Sequence, residues 1–220
     1  MKRKAKIEFI LGISLFAVFI LYTLSLRIVD VQPIGPRESQ VAYATLNRAV
    51  HEAFGVNMTL YNITDWAGAA ALLVAFGFAV LGLCQLIKRK SILKVDKNIL
   101  ILGAFYIFVI GAYVFFELCV INRRPVLIDG RLEASYPSST TVLCACIMPS
   151  AIMQFHTRIR NIALRRTVNI LCGAFTVFMV IGRLVCGVHW FTDILGGLIF
   201  SASALLLYSS AVAFAELKSE

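Results

Sequence analysis

The chain has 220 residues, of which 60% are hydrophobic and 15% charged. A soluble domain runs near half apolar and a quarter charged, so lipid is the expected solvent. The formal charge of +9 would suit nucleic acid, but the cations gather in short segments between apolar runs, where they set membrane topology instead.

A spanning helix takes about 20 mostly apolar residues, since the hydrocarbon core is roughly 30 Å thick. Lys2, Arg3, Lys4 and Lys6 precede the first such run, 9–26. That run is longer than a signal-peptide core and no small-x-small cleavage site follows it, so it is read as a span. Segment 27–66 opens with the structure breakers Pro33, Gly35 and Pro36. Within it Val41, Leu46, Ala49, Val50 and Ala53 recur near helical spacing, which predicts an amphipathic helix over 39–54 at the outer interface.

Runs at 67–87, 99–120, 168–186 and 190–215 read as further spans, and a weaker one at 138–155 spans only by including polar residues at its start. Backbone in lipid must satisfy its own hydrogen bonds, so all of these are helices. The expected fold is all-α and polytopic, with six transmembrane helices and one interfacial helix in a single domain over 1–220. Lys88, Arg89, Lys90, Lys94 and Lys97 fill the gap after the second run, Arg158, Arg160, Arg165 and Arg166 the gap after the fourth, and Lys218 follows the last. With the N-terminal four, these make 14 of the 21 basic residues and include every lysine. The positive-inside rule places them, and both termini, in the cytoplasm; a bacterial plasma membrane is the expected setting. The six cysteines have no metal-ligand spacing and read as small buried residues.

Chemistry concentrates at the opposite side. His189 and Asp193 are four apart, which puts them on one helical face and lets the carboxylate hold an imidazole nitrogen. Arg183 lies six residues before His189, a spacing that points them apart on an unbroken helix. Gly187 offers a break between them, so both can turn toward one pocket. In the loop 121–141, Arg123 and Arg124 present planar donors suited to phosphate oxygens. Pro137, Ser138, Ser139, Thr140 and Thr141 suit a helix start, whose free N–H groups and hydroxyls make either an anion cradle or a simple cap. Glu117 is expected to pair with Arg123 or Arg124, and Asp129 and Glu133 to be solvated. His156 falls at the far end of the fourth span, and His51 on the outer side.

These residues resemble the integral membrane branch of the type 2 phosphatidic acid phosphatase superfamily, whose motifs are Lys-x6-Arg-Pro, Pro-Ser-Gly-His and Ser-Arg-x5-His-x3-Asp. The third is matched by Gly182-Arg183-x5-His189-x3-Asp193. The first is matched in Arg124-Pro125, with Glu117 at the lysine position. The second appears as Pro137-Ser138-Ser139-Thr140, with Thr140 at the histidine position. The resemblance implies a lipid phosphatase acting at the outer leaflet without cofactor or metal. His189 would attack phosphorus, Asp193 would support it, and Arg124 and Arg183 would hold the phosphate, with Arg123, Ser138, Ser139 and Thr140 as further phosphate ligands. An alcohol at position 140 cannot act as the acid, and losing such catalysis costs about 10²–10⁴ in rate. A lipid diphosphate such as a polyprenyl diphosphate is therefore the expected substrate, because its leaving phosphate has a second pKa near 6. The alternative is a pseudoenzyme that binds a phosphorylated lipid without turnover.

Overall fold

The chain is described by a computed structural model covering residues 2–217; Lys218, expected on the basic side, lies outside them. Seven helices follow in order: α1 (Lys2–Ser25), α2 (Ala44–Phe54), α3 (Met58–Arg89), α4 (Lys97–Leu118), α5 (Ser139–Arg158), α6 (Ile162–Val185) and α7 (Phe191–Leu217). No strand forms among the described residues, only isolated bridges in the loops.

Five helices, α1, α3, α4, α6 and α7, are long and apolar enough to cross a membrane. Their burial is inverted relative to a soluble bundle. Leu73 is 69% exposed, Ile107 74% and Leu118 79%, which is stable only where the outer solvent is hydrocarbon. The same inversion corrects the reading of the cysteines, since Cys84 and Cys119 are exposed while Cys144, Cys146 and Cys186 are buried.

α5 falls below the hydropathy of the other five, for a physical reason. It is packed against α3, α4, α6 and α7, with Thr140, Thr141, Ser150 and Gln154 all buried. Its polar groups find protein partners, as where the Ser150 hydroxyl donates to the Ile147 carbonyl (2.9 Å) and Gln154 Nε2 donates to the Tyr208 hydroxyl (2.6 Å). A helix sheltered in this way follows the rules of an interior and not of a lipid face.

α1 and α7 make the most extensive helix pair. Gly12 lets them close, because a Cβ there would come within 2.8 Å of Leu207, and Ser203 Oγ donates to the Gly12 carbonyl (2.9 Å). Small residues and interhelical hydrogen bonds are what drive such contacts where lipid removes the hydrophobic incentive. At the basic end Asp96 fastens three helices, pairing with Arg89 (2.9 Å) and Arg158 (3.8 Å) and accepting from Gln85 (2.7 Å).

The other end is organised by two turns. The loop after α4 folds back at Asp129-Gly130, both with positive φ (48° and 73°), as a two-residue hairpin turn requires. Ile128 and Arg131 exchange backbone hydrogen bonds across it, and Ser135 N donates to the Asn122 carbonyl (3.0 Å). α6 stops at Gly187 (φ 68°), whose N–H donates to the Leu184 carbonyl (3.3 Å), before α7 starts four residues later. Gly187 is also where the backbone of Gly55 presses closest, and a Cβ would lie 1.8 Å from the Gly55 carbonyl oxygen.

Gly187→Ala therefore meets both a clash with backbone and a left-handed conformation that costs an L side chain roughly 1–2 kcal/mol. The expected result is a lower midpoint of thermal unfolding for the detergent-solubilised protein, while Gly77→Ala, with open space around its Cβ, leaves the midpoint within about 1 °C of wild type.

Candidate active site

The hairpin of loop 121–138 brings two strand-like segments side by side, with Arg123 bridged to Ala134 and Arg124 N donating to the Glu133 carbonyl (3.1 Å). Neighbouring residues on extended backbone point to opposite sides. Arg124 turns inward and is 9% exposed. Arg123 turns away, and its guanidinium donates to the Leu132 carbonyl (2.9 Å). Arg123, expected from the sequence as a phosphate ligand, is held by the loop and does not line the cleft described below, and its own carbonyl accepts from Trp190 Nε1 (2.7 Å).

His189 sits in the short link between α6 and α7 and is 4% exposed. Its Nδ1 lies 3.1 Å from the Ser135 carbonyl oxygen. A carbonyl only accepts, so Nδ1 carries the proton and Nε2 keeps a bare lone pair. That lone pair faces Arg183 Nη2 at 3.1 Å and Arg124 Nη1 at 3.4 Å. Burial, followed by the fields of Arg124 and Arg183, holds the imidazole pKa well below its ordinary value, with the bond to Ser135 opposing. Both causes favour the neutral ring over the protonated one.

Asp193 is fully buried and takes a different position from the one the i, i+4 spacing suggests. Its Oδ2 accepts from Trp190 N (2.9 Å) and its Oδ1 from Asn122 Nδ2 (3.1 Å), whereas His189 Nδ1 is 3.8 Å away. Asp193 is the third residue of α7, where a carboxylate reaches back to the capping residue's N–H. It therefore faces the imidazole as a nearby charge and not as a hydrogen-bond partner. The contact that fixes the tautomer comes from Ser135, which the sequence reading missed.

Arg183, at the end of α6, is 1% exposed. Its Nη1 donates to Thr64 Oγ1 (3.4 Å) and pairs with Asp65 Oδ1 (3.5 Å), and its guanidinium lies 4.8 Å from the Tyr61 ring centroid. Arg124 lies 5.8 Å from the same ring, and its Nε pairs with Glu133 Oε2 at 3.1 Å. Glu133, expected to be solvated, is thus the partner that Glu117 was expected to be.

A narrow cleft of about 20 Å³ opens onto His189 and Arg124, walled by Tyr113, Phe116 and Glu117 of α4 and by Ser139 of α5. That volume is close to what a single water needs. Of Ser138, Ser139 and Thr140, Ser139 lines it, together with Ser135 of the loop. Ser138 is buried, its N–H donating to the Asp193 carbonyl (3.1 Å) and its Oγ accepting from Thr141 (3.0 Å). The Thr140 methyl lies toward α3, 3.5 Å from where a Cβ on Gly68 would be.

Residues 115–216 match the PAP2 superfamily. That segment carries every residue assigned to the site from sequence. A crystal structure titled the first transmembrane PAP2 type phosphatidylglycerolphosphate phosphatase, from Bacillus subtilis, is similar across 94% of this chain and 96% of its own, with a TM-score of 0.61 and 21% identity. At that identity the likeness is one of fold. No curated protein matches the chain in sequence. Together the apolar helices and this likeness of fold make it an integral membrane protein, similar over residues 115–216 to the PAP2 superfamily.

The depressed His189 pKa sets a pH dependence of stability. Unfolded, the imidazole takes up a proton near 6.5, while the folded ring resists it. The unfolded state then binds more protons, so the contribution of this group is present above about 6.5 and lost as pH falls below it. Thermal unfolding between pH 8 and 5 should show a wild-type midpoint that drops more steeply on the acid side than that of His189→Gln.

Proposed function

We propose that this protein is a membrane lipid phosphatase that transfers a phosphoryl group from a lipid to His189 Nε2 and then to water. One observation carries the reading, the bare lone pair of a buried neutral imidazole held within 3.4 Å of two guanidinium groups. A nucleophile needs that lone pair, and a phosphoryl group needs planar donors for its equatorial oxygens. The arginines rest on Nε2 itself. A phosphate would take their N–H groups onto its own oxygens and leave phosphorus in front of the nitrogen. Asp193, 3.8 Å from Nδ1, then offsets the positive charge that appears on the ring once Nε2 is phosphorylated. Ser139 at the cleft wall is the hydroxyl best placed to add to the phosphate cradle, and Ser138 and Thr140 support it through packing.

The membrane arrangement proposed with this chemistry is six crossings. α5 has 20 residues, which at about 1.5 Å each reach the roughly 30 Å of a hydrocarbon core, and its burial among four helices removes the need for an apolar surface. Both ends and the lysine-rich segments then face the cytoplasm of a bacterial cell, and the site faces out. α2 lies at the outer interface, with Asn47 turned to the protein and hydrogen-bonded to Thr192 (3.0 Å), and with Leu46 and Phe54 exposed on the lipid side.

A lipid diphosphate, such as a polyprenyl diphosphate, is the proposed substrate. Thr140 offers no acid to protonate a leaving alcohol, and a leaving phosphate does not need one. A second reading, a phospholipid-binding pseudoenzyme, is favoured by the carboxylates Asp65 and Glu133 that already pair with the two arginines.

Phosphate release from defined lipids in mixed micelles tests both. Wild-type protein should turn over a lipid diphosphate faster than phosphatidic acid, and His189→Ala should fall to background. Thr140→His should raise monophosphate turnover by about 10² or more, with a smaller gain on the diphosphate. Release that survives loss of His189 removes the nucleophile, and no release from any lipid by wild type leaves the binding protein.

A further inference from the structure

A phosphohistidine must be hydrolysed, and the water that does so needs a group to take its proton. Neither Thr140 nor Ser139 is such a group at neutral pH. The structure places a carboxylate at the site from a helix that lies outside residues 115–216. Tyr61, Thr64 and Asp65 on α3 have the i, i+3, i+4 spacing of one helical face, and all three contact Arg183.

Resting on the phosphohistidine reading above, the geometry points to Asp65 as the base that takes the proton from the hydrolytic water. Glu117 lines the cleft from α4, but the carboxylates paired with the histidine or its arginines are Asp65, Glu133 and Asp193, and geometry distinguishes Asp65 from the other two. Asp65 pairs with Nη1 of the same guanidinium whose Nη2 meets His189 Nε2, so one planar group spans base and nucleophile (3.5 and 3.1 Å). Glu133 instead holds Arg124 by Nε, the edge away from the Nη1 that faces the histidine. Asp193 is fully buried, with its oxygens taken by Trp190 N and Asn122, and is shielded from water. The Asp65 side chain is 55% exposed, which lets water reach it and lets a proton leave. It also stands one turn from Gly68, against which Thr140 packs, so it borders the place where an acid–base residue is missing from α5.

The step balances without a co-reactant. Water oxygen attacks phosphorus on the face opposite Nε2, the O–P bond forms, and the P–N bond breaks with its electron pair returning to Nε2. The water proton passes to the Asp65 carboxylate, inorganic phosphate departs, and the proton is released to solvent from the exposed edge of the side chain. The first half-reaction, with a leaving phosphate, needs no base, so Asp65 bears on it only as the partner of Arg183.

Rapid-quench kinetics with a lipid diphosphate in mixed micelles separates the two halves. For Asp65→Asn at saturating lipid the expected result is that a burst of one lipid monophosphate per site is retained, while the steady state that follows falls about 10²-fold. An acid-labile, alkali-stable phosphoenzyme should accumulate alongside, and it should be absent from His189→Ala. The burst also reports that the variant is folded. Adding Thr140→His to Asp65→Asn should restore the steady state and clear the phosphoenzyme. A burst slowed as much as the steady state, with no phosphoenzyme, overturns the proposal and makes Asp65 a residue that only positions Arg183. Absence of phosphate release and of phosphoenzyme from wild type overturns the phosphatase reading, and this proposal with it.

Discussion

The site depends on the hydrogen bond between His189 Nδ1 and the Ser135 carbonyl. Because a carbonyl cannot donate, this contact decides which nitrogen is protonated and leaves the other free for chemistry. Its position is set by backbone alone. The Asp129-Gly130 turn folds the loop so that Ser135 lies opposite Asn122, and the same hairpin carries Arg124 to the ring and Asn122 to Asp193. One short loop therefore fixes the tautomer, supplies one of the two guanidinium groups at the ring and holds the Asp193 carboxylate. On the other side, the stop at Gly187 turns His189 back toward Arg183 only six residues earlier.

Burying Arg183 at 1% exposure is costly, since the effective penalty of removing an ion from water is several kcal/mol in a protein. The surroundings offset this in three ways, through the carboxylate of Asp65, the hydroxyl of Thr64 and the face of Tyr61, an arrangement worth about 2 kcal/mol for the ring when desolvated. Compensation is incomplete, because Arg183 Nε has no hydrogen-bond partner. A buried donor left in that condition costs about 1–3 kcal/mol, so an incoming phosphate gains more than it would from arginines already satisfied. Asp65 and Glu133 work in the opposite direction. In the proposed reaction they pair with the two guanidinium groups and must be shared or displaced when a phosphate binds, which lowers its affinity and favours its release.

Local chemistry was legible in the sequence where spacing alone determines geometry. The Arg183, Gly187 and His189 arrangement is of this kind, as are the five apolar helices, whose outward faces are read directly by hydropathy. The weak run at 138–155 was harder, because α5 is polar by virtue of being surrounded by protein. Asp193 was legible as a neighbour of His189 but not as a helix-capping residue, since a free N–H at the start of α7 competes for the same oxygen. The choice between Arg123 and Arg124 depends on the pleat of an extended segment. Its signal, the Asp129-Gly130 turn flanked by Ile128 and Arg131, was present in the sequence and would have paired Glu133 with the arginine side. Tyr61, Thr64 and Asp65 were hidden for another reason. They lie just before the apolar run at 67–87, in a stretch whose composition is that of a loop, and only the continuation of α3 to Met58 brings them onto one face.

That continuation shows how the α3 wall becomes part of the site. The N-terminus of α3 is tied to the end of α6 by Asn57 N donating to the Cys186 carbonyl (3.0 Å). Gly55 presses its backbone onto Gly187, and Gly182 admits Thr64 so closely that a Cβ would stand 2.7 Å from its methyl. The two glycine contacts require the absence of a side chain, so the approach of α3 is specified by Gly182 on α6 and Gly187 in the link that follows. Arg183 can meet Asp65 and Thr64 only when this docking is made. His189, the proposed nucleophile, and its two arginines belong to the matched segment 115–216, but the groups that neutralise Arg183 come from α3. A change of chemistry at the same fold is then available by exchanging residues on α3 while the nucleophile stays in place, and the pairing of Asp65 with an alcohol at position 140 is the form such an exchange would take.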